Sequence, residues 1–497
     1  MEIEKKINNP FRLSRLENLK SIRQFGINPF YTDYSPTHNM QDIHDKYSYL
    51  NNGEESSDIV SVAGRVMAYR NSGMFLDISE SNGDIQIFCH KKLMSKNNIK
   101  ILTYLDIGDF LGVQGNVRRT NRGEITINAN NIYILTKSIL PLPEKYHGLI
   151  NREKRYRQRY IDFIINKNSK KIILIRSNII FSMRFFLEKN GFLEVETPML
   201  HTIPGGALAK PFITHHNSLG LDLYLKISPE LYLKRLIIAG LSEKIFEITR
   251  CFRNEGLSIR HNPEFTMMEL YQVYTGYYDM MDLLENMIIY IAKKSIGTTK
   301  ILLDGVVINL SIPWKRVSML DLIEENTGLN FFLIKDNIQT QKLAKNIGVD
   351  FDKNATWGEV ILAIFEEKVV CKLIQPIHVI NLPKDISILA RGDSNDCRLS
   401  ERFESFINGM EIANAFSELS DPIEQRSRFK SQMIKRNQGD EEAHCLDEDF
   451  LTALEHGMPP TGGLGVGVDR IIMLLTGSNN IKDVIAFPTM KPNIYKG

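Results

Sequence analysis

The sequence predicts an α+β protein in which a small N-terminal β-barrel precedes a larger domain built on an antiparallel sheet flanked by helices. Two observations carry this. Between Ile59 and Leu135 the chain breaks into five short alternating segments divided by turn residues, which is the pattern of a small closed barrel. Beyond Ile172, helical and strand-like stretches mix without regular βαβ alternation, so an antiparallel sheet fits better than a doubly wound one.

In chain order, Leu13 to Phe25 forms a short amphipathic helix, and the polar, proline-containing stretch up to residue 50 reads as a loop. The barrel strands are Ile59–Met67, Met74–Ile78, Ile85–Cys89, Phe110–Val117 and Ile125–Ile134, with a helical piece at Lys91–Lys100. Five strands and one helix fit an OB-fold, either a structural module or a nucleic-acid binder. Leu140–Pro143 reads as a linker, so residues 1–139 form the helical extension and barrel, 140–176 a basic linker and the start of the second domain, and 177–497 the rest of it. Between Glu144 and Arg176 ten Lys or Arg stand against three acids, a solvated face or a phosphate-neutralising one. From Ile172 to Phe186 apolar residues recur at helical spacing, and Asn190-Gly191 supplies a stop.

Composition narrows the class. With 497 residues, 43% hydrophobic and a formal charge of +2, the chain can bury substantial cores and carries no global field of a polyanion binder. Five scattered cysteines exclude a disulfide framework and a structural zinc site. The start MEIEKKINNP lacks a signal-peptide core and no apolar run reaches membrane-span length, so a reduced, cytoplasmic protein is expected, without a membrane partner. No P-loop sequence occurs, and Arg470 stands where a third glycine would complete a dinucleotide fingerprint after Gly465 and Gly467.

Three segments carry chemistry. Ile245–Arg253 and Glu264–Tyr274 read as strands joined by a polar loop, and alternation puts Phe265, Met267, Glu269, Tyr271 and Val273 on one face. The loop's Arg253, Arg260 and His261 suit phosphate oxygens. Asn408-Gly409 is a two-residue hairpin signal that pairs Ile407 with Met410, Phe406 with Glu411 and Glu404 with Ala413, leaving Glu404 and Glu411 as diagonal neighbours. Two carboxylates so placed repel unless a cation such as Mg²⁺ bridges them or one is protonated. Gly463, Gly465 and Gly467 alternate along a strand and leave one surface bare, with Asp469 able to cap a helix from Arg470 to Leu475. Ser228-Pro229-Glu230 reads as cap, N1 proline and first-turn acid of another helix.

Together these segments resemble the class II aminoacyl-tRNA synthetases, specifically the bacterial-type lysyl branch. Phe192–Pro198 is similar to the family's motif 1, Phe252–Glu255 through Glu264-Phe265 to motif 2, and Gly465–Arg470 to motif 3; Ile203–Ala207 and Asn414–Glu418 match runs of the branch. The resemblance implies an OB-fold anticodon-binding domain, a class II catalytic domain and ATP-dependent ligation of L-lysine to tRNA(Lys) through a lysyl-adenylate, by a homodimer.

It also implies roles. Arg253 bridges the amino-acid carboxylate and the α-phosphate, Arg260 and His261 lie near the outer phosphates, and Phe265 and Arg470 enclose the adenine, with Arg253 and Arg470 catalytic. Glu404 and Glu411 hold Mg²⁺. Glu230 and the Gly206 backbone take the α-ammonium, Asn414 assists the carboxylate, Glu269, Tyr271 and Glu418 hold the side-chain ammonium, and Phe416 packs on the methylenes. Phe75 and Gln86 face the anticodon. Alternation alone puts Asn414, Phe416 and Glu418 opposite Glu411, so a bulge between Glu411 and Asn414 is required. Ala415 replaces an expected glycine, Ile388 an expected proline, and the Asn71–Met74 turn lacks an expected lysine. An aspartyl- or asparaginyl-type relative is the nearest rival, but a pocket of Glu230, Glu269 and Glu418 favours an ammonium ligand. A lysyl-transferring paralogue acting on a protein is a second rival, as is a non-catalytic RNA-binding protein; the OB-fold argues against the former and the Arg253, Glu404, Glu411 and Arg470 set against the latter.

Overall fold

A computed structural model describes residues 9–81, 83–92, 94–143 and 149–492. The chain divides into two compact units, Met1–Leu149 and Ile150–Gly497, so Leu140–Pro143 go with the first unit, where the sequence alone reads a linker to the second. Residues 1–8 of the N-terminal extension, and Glu144 and Lys145 of the basic run, lie outside the described residues.

In the first unit the helix Pro10–Gln24 starts where Asn9 accepts the Phe11 N–H and proline occupies the first turn. A second helix, Met40–Lys46, replaces part of the expected loop. Asn39 caps it through the Asp42 N–H, and Met40 and Ile43 anchor it, too few apolar positions to show periodicity in the sequence. Five strands, β1 (Glu55–Arg70), β2 (Phe75–Glu80), β3 (Gly83–Phe88), β4 (Phe110–Arg119) and β5 (Ile125–Thr136), close into a barrel in the order β1-β2-β3-β5-β4. Alternation sends Leu76, Ile78, Ile85 and Ile87 into its core, where each buried aliphatic side chain contributes about 1.5–3 kcal/mol. The helical piece runs from Lys96 to Tyr104, later than expected, because Ser95 supplies its cap.

The second unit contains β6 (Leu193–Glu194), β7 (Leu200–His201), β8 (Ile213–His216), β9 (Leu221–Leu225), β10 (Lys244–Phe252), β11 (Glu264–Val273), β12 (Lys300–Leu303), β13 (Val306–Asn309), β14 (Lys315–Ser318), β15 (Ile377–Ile380), β16 (Arg402–Ile407), β17 (Met410–Ser417) and β18 (Thr461–Gly467). Eight of them form one sheet, β14-β15-β16-β17-β18-β11-β10-β6, antiparallel except for the outermost pair on each side. Helices Lys167–Lys189, Tyr277–Ile296 and Val468–Thr476 pack Ile179, Met183, Leu284, Ile288 and Ile472 against Met268, Leu270, Ala415 and Val466. That closes one face of the sheet and leaves the other to the functional side chains. Ala415, fully buried here, meets the same need for a small residue that a glycine would.

Three local features differ from, or resolve, the sequence reading. Asn408 and Gly409 both have positive φ, 52° and 61°, as a type I′ turn requires, and Ile407 pairs with Met410 and Phe406 with Glu411. The ladder then slips: Ser405 pairs with Ala413 and Glu404 with Asn414, not with Ala413. The extra residue, Ile412, joins Ala413 in the core, and this bulge turns Glu411, Asn414 and Phe416 to the same face. Asp469 does not cap the last long helix. It sits in its first turn and accepts the Thr266 N–H and the Arg176 guanidinium, tying helix to sheet.

Among the described residues no helix is long and apolar enough to cross a membrane.

Candidate active site

The sheet register sets the site out in rows. Glu404, Asn414, Gly465 and Glu269 are consecutive partners across β16, β17, β18 and β11, and Arg402, Phe416, Gly463 and Tyr271 form the next row. Two pockets open on this surface. The larger, about 280 Å³, is lined by Glu230, Glu269, Tyr271, Asn414, Phe416 and Glu418, together with Gly206 and Arg402. The smaller, about 160 Å³, is lined by Arg260, His261, Phe265 and Arg470. Arg253, Met267, Glu411, Asn414 and Gly465 line both, so the pockets meet there.

The larger pocket is a buried acidic cage. The Ser228 hydroxyl accepts the Glu230 N–H at 3.1 Å, fixing the start of the helix Glu230–Ile238, and donates to Glu269 Oε1 at 2.8 Å. The Tyr271 hydroxyl donates to the other Glu269 oxygen at 3.2 Å. Burial, reinforced by the charge of Glu230, pushes the Glu269 carboxyl up to about 8. Burial also raises Glu230 and Glu418, against the pull of Lys234. Among the described residues neither buried Glu418 oxygen receives a hydrogen bond, although Lys234 Nζ is in ion-pair contact with Oε2 at 2.5 Å. Such a cage leaves negative charge for a cationic ligand to satisfy. Gly463 is obligatory for it, since a Cβ there would come within 2.1 Å of Glu418 Oε1 and 2.7 Å of the Tyr271 ring. Gly206, at φ +88°, brings its backbone against Ser228 and Glu230, where a Cβ would stand 2.8 Å from the Ser228 hydroxyl. Ile388, in place of proline, lines the same wall.

The smaller pocket is cationic. Arg253 stacks its guanidinium over Phe265 at 5.1 Å, and its buried Nε has no hydrogen-bond partner among the described residues, a donor left for an anion. Arg260 donates to the Gly409 carbonyl at 2.5 Å, which docks the loop between β10 and β11 on the β16–β17 turn. Arg470 donates to the Glu411 carboxylate at 3.0 Å and approaches His261 Nε2 at 3.3 Å. Burial, followed by the charge of Arg470, lowers His261 and keeps it neutral at neutral pH.

Glu404 and Glu411 fit a hard cation in one respect. Glu404 is pushed up to about 7 by burial, with the negative charges of Glu411 and Glu366 adding to the effect and Arg402 opposing it. Clustered carboxylates of this kind favour any cation that enters. Among the described residues no group of three or more His, Cys, Asp or Glu is arranged to hold a metal, so an ion here depends on ligand oxygens as well.

The sequence reading missed three titratable residues of this site, Arg402 and His444 in the lining of the larger pocket and Lys234 behind Glu230 and Glu418. Lys234 was legible as the i+4 partner of Glu230 on one helix face, and Arg402 as the i−2 neighbour of Glu404 on one strand face. His444 gave no signal, since it comes from a loop before the helix Glu448–Glu455 and enters the wall only through tertiary folding.

Phe75 and Gln86 belong to the first unit, on the outer face of the barrel. Phe75 pairs with Phe88 across β2 and β3, their rings 5.0 Å apart, and Arg118 lies over Phe88 at 5.1 Å. Gln86 exchanges hydrogen bonds with Thr126 and Glu124. Both are half-buried while their neighbours Leu76, Ile85 and Ile87 fill the core, so Phe75 is a surface aromatic.

A closed five-stranded barrel and an antiparallel sheet carrying an acidic cage beside a cationic pocket define a class, and comparison with known proteins identifies it. A family model described as tRNA synthetases class II (D, K and N) matches residues 151–491, and one described as OB-fold nucleic acid binding domain matches residues 60–135. The chain belongs to the class II tRNA synthetases. Within that family its similarity is to lysine–tRNA ligases. It is 50% identical over 480 residues to that of Carboxydothermus hydrogenoformans, covering 96% of this chain and 97% of the relative. The ligases of Sinorhizobium medicae (50% over 477 residues, 96% of each chain) and Pelotomaculum thermopropionicum (50% over 493 residues, 98% and 96%) match as well.

Proposed function

We propose that this protein attaches L-lysine to tRNA(Lys) at the expense of ATP, as a cytoplasmic homodimer. The observation that carries the reading is the meeting of the two pockets at Arg253, Glu411 and Asn414. An amino acid in the acidic cage and a nucleotide in the cationic pocket bring carboxylate and α-phosphate together beside one guanidinium.

Glu230 and the Gly206 backbone take the α-ammonium, Asn414 assists the carboxylate, and Glu269, Tyr271 and Glu418 take the side-chain ammonium with Phe416 along the methylenes. Phe265 and Arg470 enclose the adenine, and Arg260 and His261 face the outer phosphates. One carboxylate oxygen attacks the α-phosphorus in line, the new C–O–P bond forming as the bridge to the β-phosphate breaks and pyrophosphate leaves. The terminal ribose hydroxyl of tRNA then attacks the carbonyl of this mixed anhydride and AMP departs. Arg253 aligns the reactants and stabilises charge on the phosphoryl oxygens. Glu404 and Glu411 would hold Mg²⁺, which when bound neutralises phosphate charge. Phe75 and Gln86 contact the anticodon.

Amino-acid-dependent ATP–pyrophosphate exchange across the twenty amino acids tests the reading. Lysine alone should support exchange, and tRNA(Lys) should accept it. Exchange with aspartate or asparagine instead overturns the assignment, and exchange without tRNA charging points to transfer onto another acceptor.

A further inference from the structure

The acidic cage contains a lysine of its own. Lys234 is 1% exposed, its Nζ lies 2.5 Å from Glu230 Oε1 and 2.5 Å from Glu418 Oε2, and it stands 5.3 Å from the centre of the Phe416 ring. It therefore joins the residue proposed for the α-ammonium to one proposed for the side-chain ammonium. Replacing a whole buried ion-paired cluster by apolar residues often stabilises a fold, whereas removing one partner leaves the others' charge uncompensated, so Lys234 is bound up with the charge of Glu230 and Glu418. His444, in the pocket wall, is depressed to about 4 by burial and by the charge of Lys234, and so adds no charge.

We propose that Lys234 is a specificity-determining positioning residue that sets the charge of the amino-acid pocket to match a substrate of net charge +1; this rests on lysine being the substrate. With the ligand bound and the carboxylates ionised, Glu230, Glu269 and Glu418 face two fixed cations, Lys234 and Arg253. Glu404 and Glu411 are matched by Arg402 and Arg470. One net negative charge remains, the complement of zwitterionic lysine with its second ammonium. Without Lys234 the pocket carries two and fits a dication better. Lys234 also bridges Glu230 and Glu418, and so fixes the two ammonium subsites relative to each other.

The test compares L-lysine with L-lysinamide, which lacks the carboxylate and carries charge +2, as a competitive inhibitor of lysine-dependent exchange by the full-length protein. In Lys234→Met the KM for lysine should rise at least about tenfold, while the ratio of the lysinamide inhibition constant to that KM falls at least about tenfold. Lys234→Arg keeps the charge and should keep the wild-type ratio. If Lys234→Met does not fold, Lys234→Gln, which can still donate to the carboxylates, makes the same comparison without the charge. A residue that merely supports the structure weakens both ligands alike, so an unchanged ratio in folded Met or Gln variants overturns the proposal. Wild-type protein without lysine-dependent exchange overturns the functional reading first, and this proposal with it.

Discussion

Arg402 donates from Nη2 to Glu404 Oε1 at 2.7 Å. Its Nε reaches Asn414 Oδ1 at 3.1 Å, and Nη1 is held by the Ile386 carbonyl and the Ser387 hydroxyl. One rigid fork thus connects a residue of the acidic cage to a carboxylate proposed to hold a metal. A lysine cannot reproduce that geometry. Arg402→Lys should lower kcat for exchange by roughly tenfold or more while the Tm stays within a few degrees, because both partners remain but lose their orientation. Wild-type kcat in this variant would show that neither partner needs the fork.

Glu404→Gln and Glu411→Gln remove negative charge from the same cluster without opening a cavity. Adenylation should fall by about 100-fold or more, with the loss reduced at high Mg²⁺, and the fold should persist. Full exchange rates at saturating ATP and moderate Mg²⁺ rule out the metal assignment.

Lysine binding should depend on the proton held by Glu269. Burial raises this carboxyl to about 8, so the free pocket carries a proton at neutral pH that an incoming ammonium expels. The KM for lysine should therefore fall as pH rises from about 6 towards about 8, by no more than about tenfold per unit for one proton, and then level. The stability term has the matching sign. A folded value above the unfolded one of about 4.3 gives stability that is complete below the unfolded value and lost as pH rises through about 8. Added lysine should raise the Tm most at the alkaline end of this window. In Glu269→Gln the weakened KM should be flat with pH; a slope that survives the substitution assigns the proton elsewhere.

The strands and turns of the site were legible because their signals are local. Glu269 and Tyr271 alternate on one strand, and Asn408-Gly409 sets the hairpin. Even the bulge was required by the conflict between Glu411 and Asn414, but its position was not, because Ile412 and Ala413 are both apolar and only packing of the pair in the core decides which residue is extra. Asp469 shows the opposite case. Its spacing suits a helix cap, yet the Thr266 N–H across the sheet and Arg176 offer better partners than its own helix. His444 and the Arg402 fork depend on loops whose path no periodicity reports.

The proposed dimer should depend on the exposed side of the helix Lys167–Lys189. Leu174 and Phe181 are 58% and 67% exposed there, with Phe185 beside Phe181 at 6.4 Å. An uncovered apolar face of this kind marks an interface. Phe181→Glu should shift sedimentation towards the monomer and lower activity with dilution, and a wild-type monomer that is fully active at high dilution contradicts the assembly.

The barrel offers the last test. Phe75, Phe88 and Arg118 form a half-exposed aromatic and cationic surface beside Gln86, on a fold whose outer face stacks unpaired bases. Stacking of one base is worth about 1–3 kcal/mol, so Phe75→Ala should raise the KM for tRNA between roughly five- and 150-fold. Lysine-dependent exchange should not change, because adenylate formation needs no tRNA. The Tm should also hold, because the barrel core is built from Leu76, Ile78, Ile85 and Ile87 and not from this ring. Gln86 gives a second reading of the same surface. Its amide donates to Glu124 at 3.1 Å and its carbonyl accepts from Thr126 at 3.0 Å, so contact with a base requires it to exchange at least one partner. Gln86→Ala should therefore cost less affinity than Phe75→Ala but change the preference among anticodon bases. If exchange and charging fall together in Phe75→Ala, the ring supports the fold and the nucleic-acid face lies elsewhere on the barrel.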